Sequence, residues 1–307
     1  MTKIFIDGSA GTTGLRIYER LEQRKDIELI TLPEDLRKDT DARAQALNLS
    51  DVSFLCLPDS AAVEAVGLIN NDNTAIIDTS TAHRTANGWT YGFPELKGYR
   101  EKIKNSKRIA NPGCHASGFI SLVAPLTENG IIKNDARLTA FSLTGYSGGG
   151  KKMIAEYSDE NRDTLLNAPR QYGLTQNHKH LPEMMKICSL SNAPVFCPIV
   201  DPFYSGMEVT VTLFKADLNG NADDIRKTYR DIYSGGLIKY VDSADESGFI
   251  SAGKLSGKDS MEISVFGNEE RILLVSRFDN LGKGASGAAI QNMNILLGID
   301  EQTGLEV

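Results

Sequence analysis

Lys3-Ile-Phe-Ile-Asp-Gly-Ser-Ala-Gly-Thr-Thr-Gly-Leu-Arg-Ile-Tyr-Glu-Arg-Leu-Glu22 is the stretch on which the fold turns. Lys3 to Ile6 reads as a short buried strand, and Gly8-x-x-Gly11-x-x-Gly14 is a turn. In the helix that follows, Leu15, Tyr18 and Leu21 share one face. Strand, glycine turn and helix in that order make the opening step of a parallel sheet with crossover helices. Three further apolar runs keep the alternation going: Ile27 to Leu32, Val52 to Leu57 and Ala75 to Asp78. Between the last two, Ser60 is placed to cap a helix over Ala61 to Val66. The glycine turn has a second reading. Backbone N–H groups at a helix start, with no side chain in the way, suit the pyrophosphate of a dinucleotide, although the spacing departs from G-x-G-x-x-G.

From about residue 137 the texture changes. Arg137 to Thr144, Glu208 to Phe214, Met261 to Phe266 and Arg271 to Phe278 are longer, with alternating faces, as in an antiparallel or mixed sheet. One face should pack on helices such as Asp223 to Tyr233, leaving the other for solvent or a second subunit. The chain closes on an apolar helix over Ala285 to Leu297, after a glycine-rich turn. The predicted class is α/β: a Rossmann-type doubly wound parallel sheet plus an α+β domain with a mixed or antiparallel sheet.

Composition narrows the function. The 307 residues are 41% hydrophobic and 24% charged, with 33 Lys+Arg against 40 Asp+Glu, a net charge of −7. That balance, without a basic block, lacks the electrostatic footprint of a nucleic-acid binder. No apolar stretch is long enough for a membrane span, and the start does not read as a signal peptide, so a cytoplasmic protein is expected. Four cysteines are too sparse for a disulfide framework.

One cysteine stands apart. In Arg108-Ile-Ala-Asn-Pro-Gly-Cys114 a turn follows a short strand, and the apolar periodicity after Cys114 begins a helix. A helix N-terminus favours the thiolate and so a nucleophile. Cys56, Cys188 and Cys197 lie in or beside apolar runs and read as buried small hydrophobes. Two of the four histidines occur together in Asn177-His178-Lys-His180-Leu-Pro-Glu183, and either imidazole suits proton transfer beside a thiol. No third ligand stands close by, so no metal is expected. His83 and His115 read as surface or supporting residues. Arg84 ends the fourth strand's loop, where its planar fork suits an anion, and Ser147, Gly148 and Lys151 form a second anion cradle. After the second strand, Arg37 and Lys38 suit a 2′-phosphate and hence NADP, while Glu34 suits the ribose hydroxyls of NAD.

These stretches in this order resemble the short-form N-acetyl-gamma-glutamyl-phosphate reductases of the aspartate-semialdehyde dehydrogenase-like family. The resemblance runs over essentially the whole chain, on Tyr91-Gly-Phe-Pro-Glu95, Asn111-Pro-Gly-Cys114, His178-Lys-His-Leu-Pro-Glu183 and Asp279-Asn-Leu-Gly-Lys-Gly-Ala-Ser-Gly287. His115 departs from it, where the family usually carries an aromatic residue. The resemblance implies a discontinuous NADP-binding Rossmann domain, 1–114 with 287–307, around a catalytic and oligomerisation domain, 115–286. It implies NADPH-dependent reduction of an acyl phosphate to a semialdehyde, with phosphate released, through a thioester on Cys114. His180 is the preferred acid and base, with His178 as the alternative. Cofactor contacts fall on Gly8, Ser9, Gly11, Thr12, Thr13, Gly14, Arg37, Asn280, Lys283 and Gly284, and substrate contacts on Arg84, Asn111, Ser147, Gly148, Lys151 and Glu183. A small-molecule substrate, no metal and a homodimer or homotetramer are expected. A sister reductase of aspartyl or aminoadipyl phosphate stays open, as does a non-catalytic dinucleotide sensor.

Overall fold

The computed structural model describes residues 1–307. The first compact unit comprises Met1–Pro112 and Ala285–Leu305, and the second Gly113–Gly284 and Glu306–Val307. Cys114, placed in the first domain on sequence, therefore falls in the second unit.

In the first unit the chain runs through β1 (Thr2–Asp7), α1 (Thr12–Leu21), β2 (Ile27–Ile30), α2 (Thr40–Leu49), β3 (Val52–Leu55) and α3 (Asp59–Gly67). It continues with β4 (Ala75–Asp78), β5 (Thr90–Tyr91), α4 (Tyr99–Lys104) and β6 (Arg108–Ala110). The six strands are ordered β2-β1-β3-β4-β6-β5, and every pair is parallel. β3 and β4 are buried along their whole length, which is why they read as unbroken apolar runs rather than alternating ones.

Two local expectations change. In α1 the inward residues are Gly14, Ile17 and Leu21, while Leu15 is exposed. Gly14 sets this rotation: a Cβ there would lie 2.4 Å from the Gly8 carbonyl oxygen, so the glycine must face the loop. Residues three and seven further on then share its face. In α3, Ser60 does not cap. The helix begins one residue earlier, at Asp59, whose carboxylate accepts from the amide and hydroxyl of Thr81.

The second unit opens with α5 (Cys114–Glu128) and continues through β7 (Thr139–Gly145), α6 (Gly150–Ser158), β8 (Arg170–Gln171), α7 (Leu181–Ile187), β9 (Val195–Asp201) and β10 (Met207–Phe214). Then come α8 (Ala222–Ile232), β11 (Ser234–Gly235), β12 (Ile238–Tyr240), β13 (Met261–Gly267) and β14 (Arg271–Phe278). The eight-stranded sheet is ordered β11-β12-β13-β14-β10-β7-β9-β8. Only β12–β13 and β7–β9 pair in parallel. In β10, Met207, Val209, Val211 and Leu213 are buried and the intervening residues are not. α5 is buried from His115 to Leu126 and packs on β10 and β14. Small residues let it approach closely: a Cβ on Gly118 would meet Val209 at 2.4 Å.

The last helix, α9 (Gly287–Leu296), returns to the first unit. Its Ala289, Ile290, Met293 and Ile295 share a core with Ile4, Ile17 and Ile77. No helix of the chain is long and apolar enough to cross a membrane.

Candidate active site

In the first unit the glycine turn borders a cleft of about 1020 Å³ lined by residues that include Gly8, Ser9, Tyr18, Leu32, Arg37 and Lys38. Gly8 has φ +87°, and a Cβ there would lie 2.3 Å from the carbonyl oxygen of Cys56. With glycine also required at position 14, the turn presents bare backbone. α1 starts with no side-chain cap and no acid in its first turn, so its leading N–H groups remain for an anion. The turn thus fits a dinucleotide pyrophosphate. Glu34, Arg37 and Lys38 all stand on the rim of the cleft.

The Asp7–Arg43 pair in this cleft leaves no signal in the sequence. Asp7 is buried at the end of β1, and Arg43 of α2 holds both carboxylate oxygens, at 3.4 and 3.1 Å, while also reaching Glu64. Burial pushes the Asp7 carboxyl up, against the pull of the guanidinium. Arg43 looks like an ordinary helix residue in the chain, and only the crossover brings it to β1.

Elsewhere in this unit Arg84 is half-buried, donating from Nε to the Asn111 carbonyl at 3.0 Å and from Nη2 to the Thr79 carbonyl at 3.2 Å. His83 is not a surface residue. It bonds the buried Asp78 at 2.6 Å and stacks on Trp89. The Asn111 side chain bonds the Ala285 carbonyl and Asn292, so it ties β6 to the returning segment. Cys56 is pushed up to about 12 by burial, which leaves it an inert thiol.

In the second unit Cys114 is the first residue of α5, and Gly113 precedes it in extended backbone with no side-chain cap. The Gly113 amide donates at 3.2 Å to Glu183 Oε2, and Glu183 Oε1 lies 3.9 Å from His180 Nε2. Glu183, expected among the substrate contacts, is thus buried and turned toward protein groups. His178 is fixed by its own turn, its Nδ1 accepting from the His180 amide at 3.2 Å. The rings of His178 and His180 lie 5.6 and 5.5 Å from the ring of His115, the neighbour of Cys114 in sequence. The 170–180 segment that carries these histidines is tied to β9. Tyr172 donates its amide to the Pro198 carbonyl, and the Gln176 side chain pairs with both backbone groups of Phe196.

The closing loop stands against the cysteine: a Cβ on Gly284 would lie 3.0 Å from Cys114 Cβ. Asp279 anchors that loop with no exposure, its carboxylate accepting from Ser205, Gly257, Leu281 and Gly282. Asn280 bonds the Gly206 amide and Ser147 Oγ, each at 3.0 Å, which joins the closing loop to the Ser147–Gly148 turn. Lys283 is buried, whereas Lys151 is exposed on α6. No group of three or more His, Cys, Asp or Glu side chains is arranged to hold a metal.

Residues 3–106 match the NAD-binding domain model of semialdehyde dehydrogenase, and residues 114–280 match its dimerisation domain model. N-acetyl-gamma-glutamyl-phosphate reductase 2 of Nostoc sp. is 44% identical, covering 99% of each chain. The reductase of Brucella ovis is 46% identical over 96% of this chain and 99% of its own. The chain belongs to the N-acetyl-gamma-glutamyl-phosphate reductase family. Solved structures share the fold at lower identity. Aspartate semialdehyde dehydrogenase II of Vibrio cholerae is 16% identical with a TM-score of 0.72, covering 97% of this chain and 98% of that one. The Candida albicans enzyme with NADP, also 16% identical, has a TM-score of 0.66 over the same shares. In this reductase-family chain the dimerisation match begins at Cys114 itself, and the NAD-binding match contains the glycine turn.

Proposed function

We propose that this protein reduces N-acetyl-gamma-glutamyl phosphate to N-acetylglutamate semialdehyde, with NADPH as reductant and phosphate as the second product. The observation that carries the reading is Cys114 at the uncapped start of α5, with His178, His180 and Glu183 gathered around its turn, in a chain so similar to these reductases over its full length.

Cys114 sulphur attacks the γ-carbonyl carbon. The bond from that carbon to the phosphate oxygen breaks, phosphate leaves with the electron pair, and a thioester remains. The first N–H groups of α5 favour both the thiolate and an oxyanion. A nicotinamide held by the first unit would supply the hydride that reduces the thioester. Gly8, Gly11 and Gly14 would hold its pyrophosphate, and Arg37 and Lys38 its 2′-phosphate. His180, backed by Glu183, gives a proton to the developing oxyanion and takes it back as the C–S bond breaks and the aldehyde leaves, with His178 as the alternative. Arg84 in the first unit and Lys151 in the second are the cations each unit would offer to anionic groups. Self-association falls on the open face of the eight-stranded sheet, where Phe141, Val195 and Leu273 are exposed, as a homodimer or homotetramer.

The reverse reaction tests the assignment. Purified protein is given phosphate, NADP or NAD, and N-acetylglutamate, aspartate or aminoadipate semialdehyde. NADP reduction with the first of these is expected, and its absence there alongside a signal with another would reassign the substrate. Cys114→Ser should abolish turnover while leaving NADP affinity within about twofold.

A further inference from the structure

Beside Cys114 a line of three side chains from distant parts of the second unit is left unexplained by these roles. His115 is buried, its Nδ1 2.6 Å from Ser142 Oγ on β7 and its Nε2 2.6 Å from the Tyr172 hydroxyl in the segment after β8. Burial, with a smaller contribution from His178, pushes His115 down to about 3, so the ring is neutral and carries one proton. The position of that proton follows from Ser142. This serine has no exposure, and His115 is its one side-chain partner. If Nδ1 carried the proton, the serine hydroxyl would be a buried donor without an acceptor. With the proton on Nε2, Ser142 donates to Nδ1 and Nε2–H donates to the phenolic oxygen. Tyr172 then accepts from His115, and its own O–H has no protein acceptor. Unlike the two residues behind it, Tyr172 is half-buried rather than buried.

Resting on the reading of Cys114 as nucleophile, we infer that Tyr172 is a further catalytic residue whose hydroxyl, aimed by the Ser142–His115 line, donates a hydrogen bond to the oxygen of the acyl group carried on Cys114. His115 is then a positioning residue that acts through Tyr172. Burial, with a smaller contribution from the charge of Cys114, raises the phenol well above its ordinary value, so it stays protonated as a fixed donor rather than a proton shuttle. Successive donors pointing the same way also strengthen one another. The histidine that departs from the family's usual aromatic residue therefore supplies the polar link that an apolar ring lacks.

The test pairs kinetics with a direct reading of the tautomer. Tyr172→Phe should lower kcat on the order of a hundredfold, as loss of one oxyanion donor does, with KM changed less than about threefold. Its alkylation rate with iodoacetamide should match the parent, showing an intact Cys114 site. His115→Phe should show a similar loss, and the double variant should be no worse than Tyr172→Phe alone. In 15N-histidine spectra of the full chain, with only four histidines to resolve, the resonance missing from His115→Phe should belong to a ring protonated at Nε2. A Tyr172→Phe enzyme within about twofold of the parent, or a proton found on Nδ1, overturns the inference. If Cys114→Ser is inactive while Tyr172→Phe is not, this inference alone falls. If Cys114→Ser turns over, the nucleophile reading falls with it.

Discussion

At the residue scale the two clustered histidines are distinguished by what holds them. His178 spends Nδ1 on its own turn, whereas His180 faces a buried carboxylate that would stabilise its protonated form. Turnover of His180→Asn should fall by about two to four orders of magnitude, with nucleotide affinity little changed. The same loss in His178→Asn, with His180→Asn near normal, would reverse the roles. His115 makes a different prediction. Its folded value of about 3 lies below the ordinary 6.5, so between those limits the unfolded chain binds more protons than the native one. Stability is therefore fully present above pH 6.5 and falls on acidification, by up to about 1.4 kcal/mol per pH unit from this group. Replacing His115 by Phe should flatten the fall in Tm between pH 6.5 and 4.5, and an unchanged slope would show that other groups carry it.

At the element scale close backbone approach governs both working helices. Gly14→Ala places a Cβ 2.4 Å from the Gly8 oxygen, so either α1 shifts or the turn opens. NADPH affinity measured by fluorescence titration should drop at least tenfold, on the order of 1.4 kcal/mol, and parental affinity would show that the turn is not the binding element. What could be read from the chain follows the same division between local and distant contacts. β1, the glycine turn and α1 were legible because their signal lies within twenty consecutive residues. Asn111-Pro-Gly-Cys114 was legible because a turn and an apolar period meet there. The rotation of α1 was not, since it depends on a clash between the Gly8 backbone and an atom that Gly14 lacks. Nor was the Ser142–His115–Tyr172 line, in which Ser142 looks like any polar position of an alternating strand until β7, α5 and the segment after β8 are packed together. The surroundings of Glu183 were illegible for a related reason: only folding brings its carboxylate to Gly113 and His180.

At the scale of the whole molecule the proposal that copies meet through the open sheet face can be tested directly. Phe141, opposite Cys197 on β9 and Thr210 on β10, is 44% exposed in the middle of the sheet, an arrangement suited to a second copy. Phe141→Arg should convert the assembly to monomers by light scattering at micromolar concentration, with circular dichroism unchanged, and an unaltered mass would place the contact elsewhere. The path of the chain between its units bears on synthesis as well. The first unit's core needs Ala289, Ile290, Met293 and Ile295, which are made after the whole of the Gly113–Gly284 segment. The segment from Gly113 to Gly284 is made before them and holds its own core. Vectorial synthesis therefore lets the cysteine-bearing unit fold while the nucleotide unit, though begun first, waits for its final helix. A chain that stopped short of α9 would carry a folded Cys114 unit and no finished dinucleotide fold.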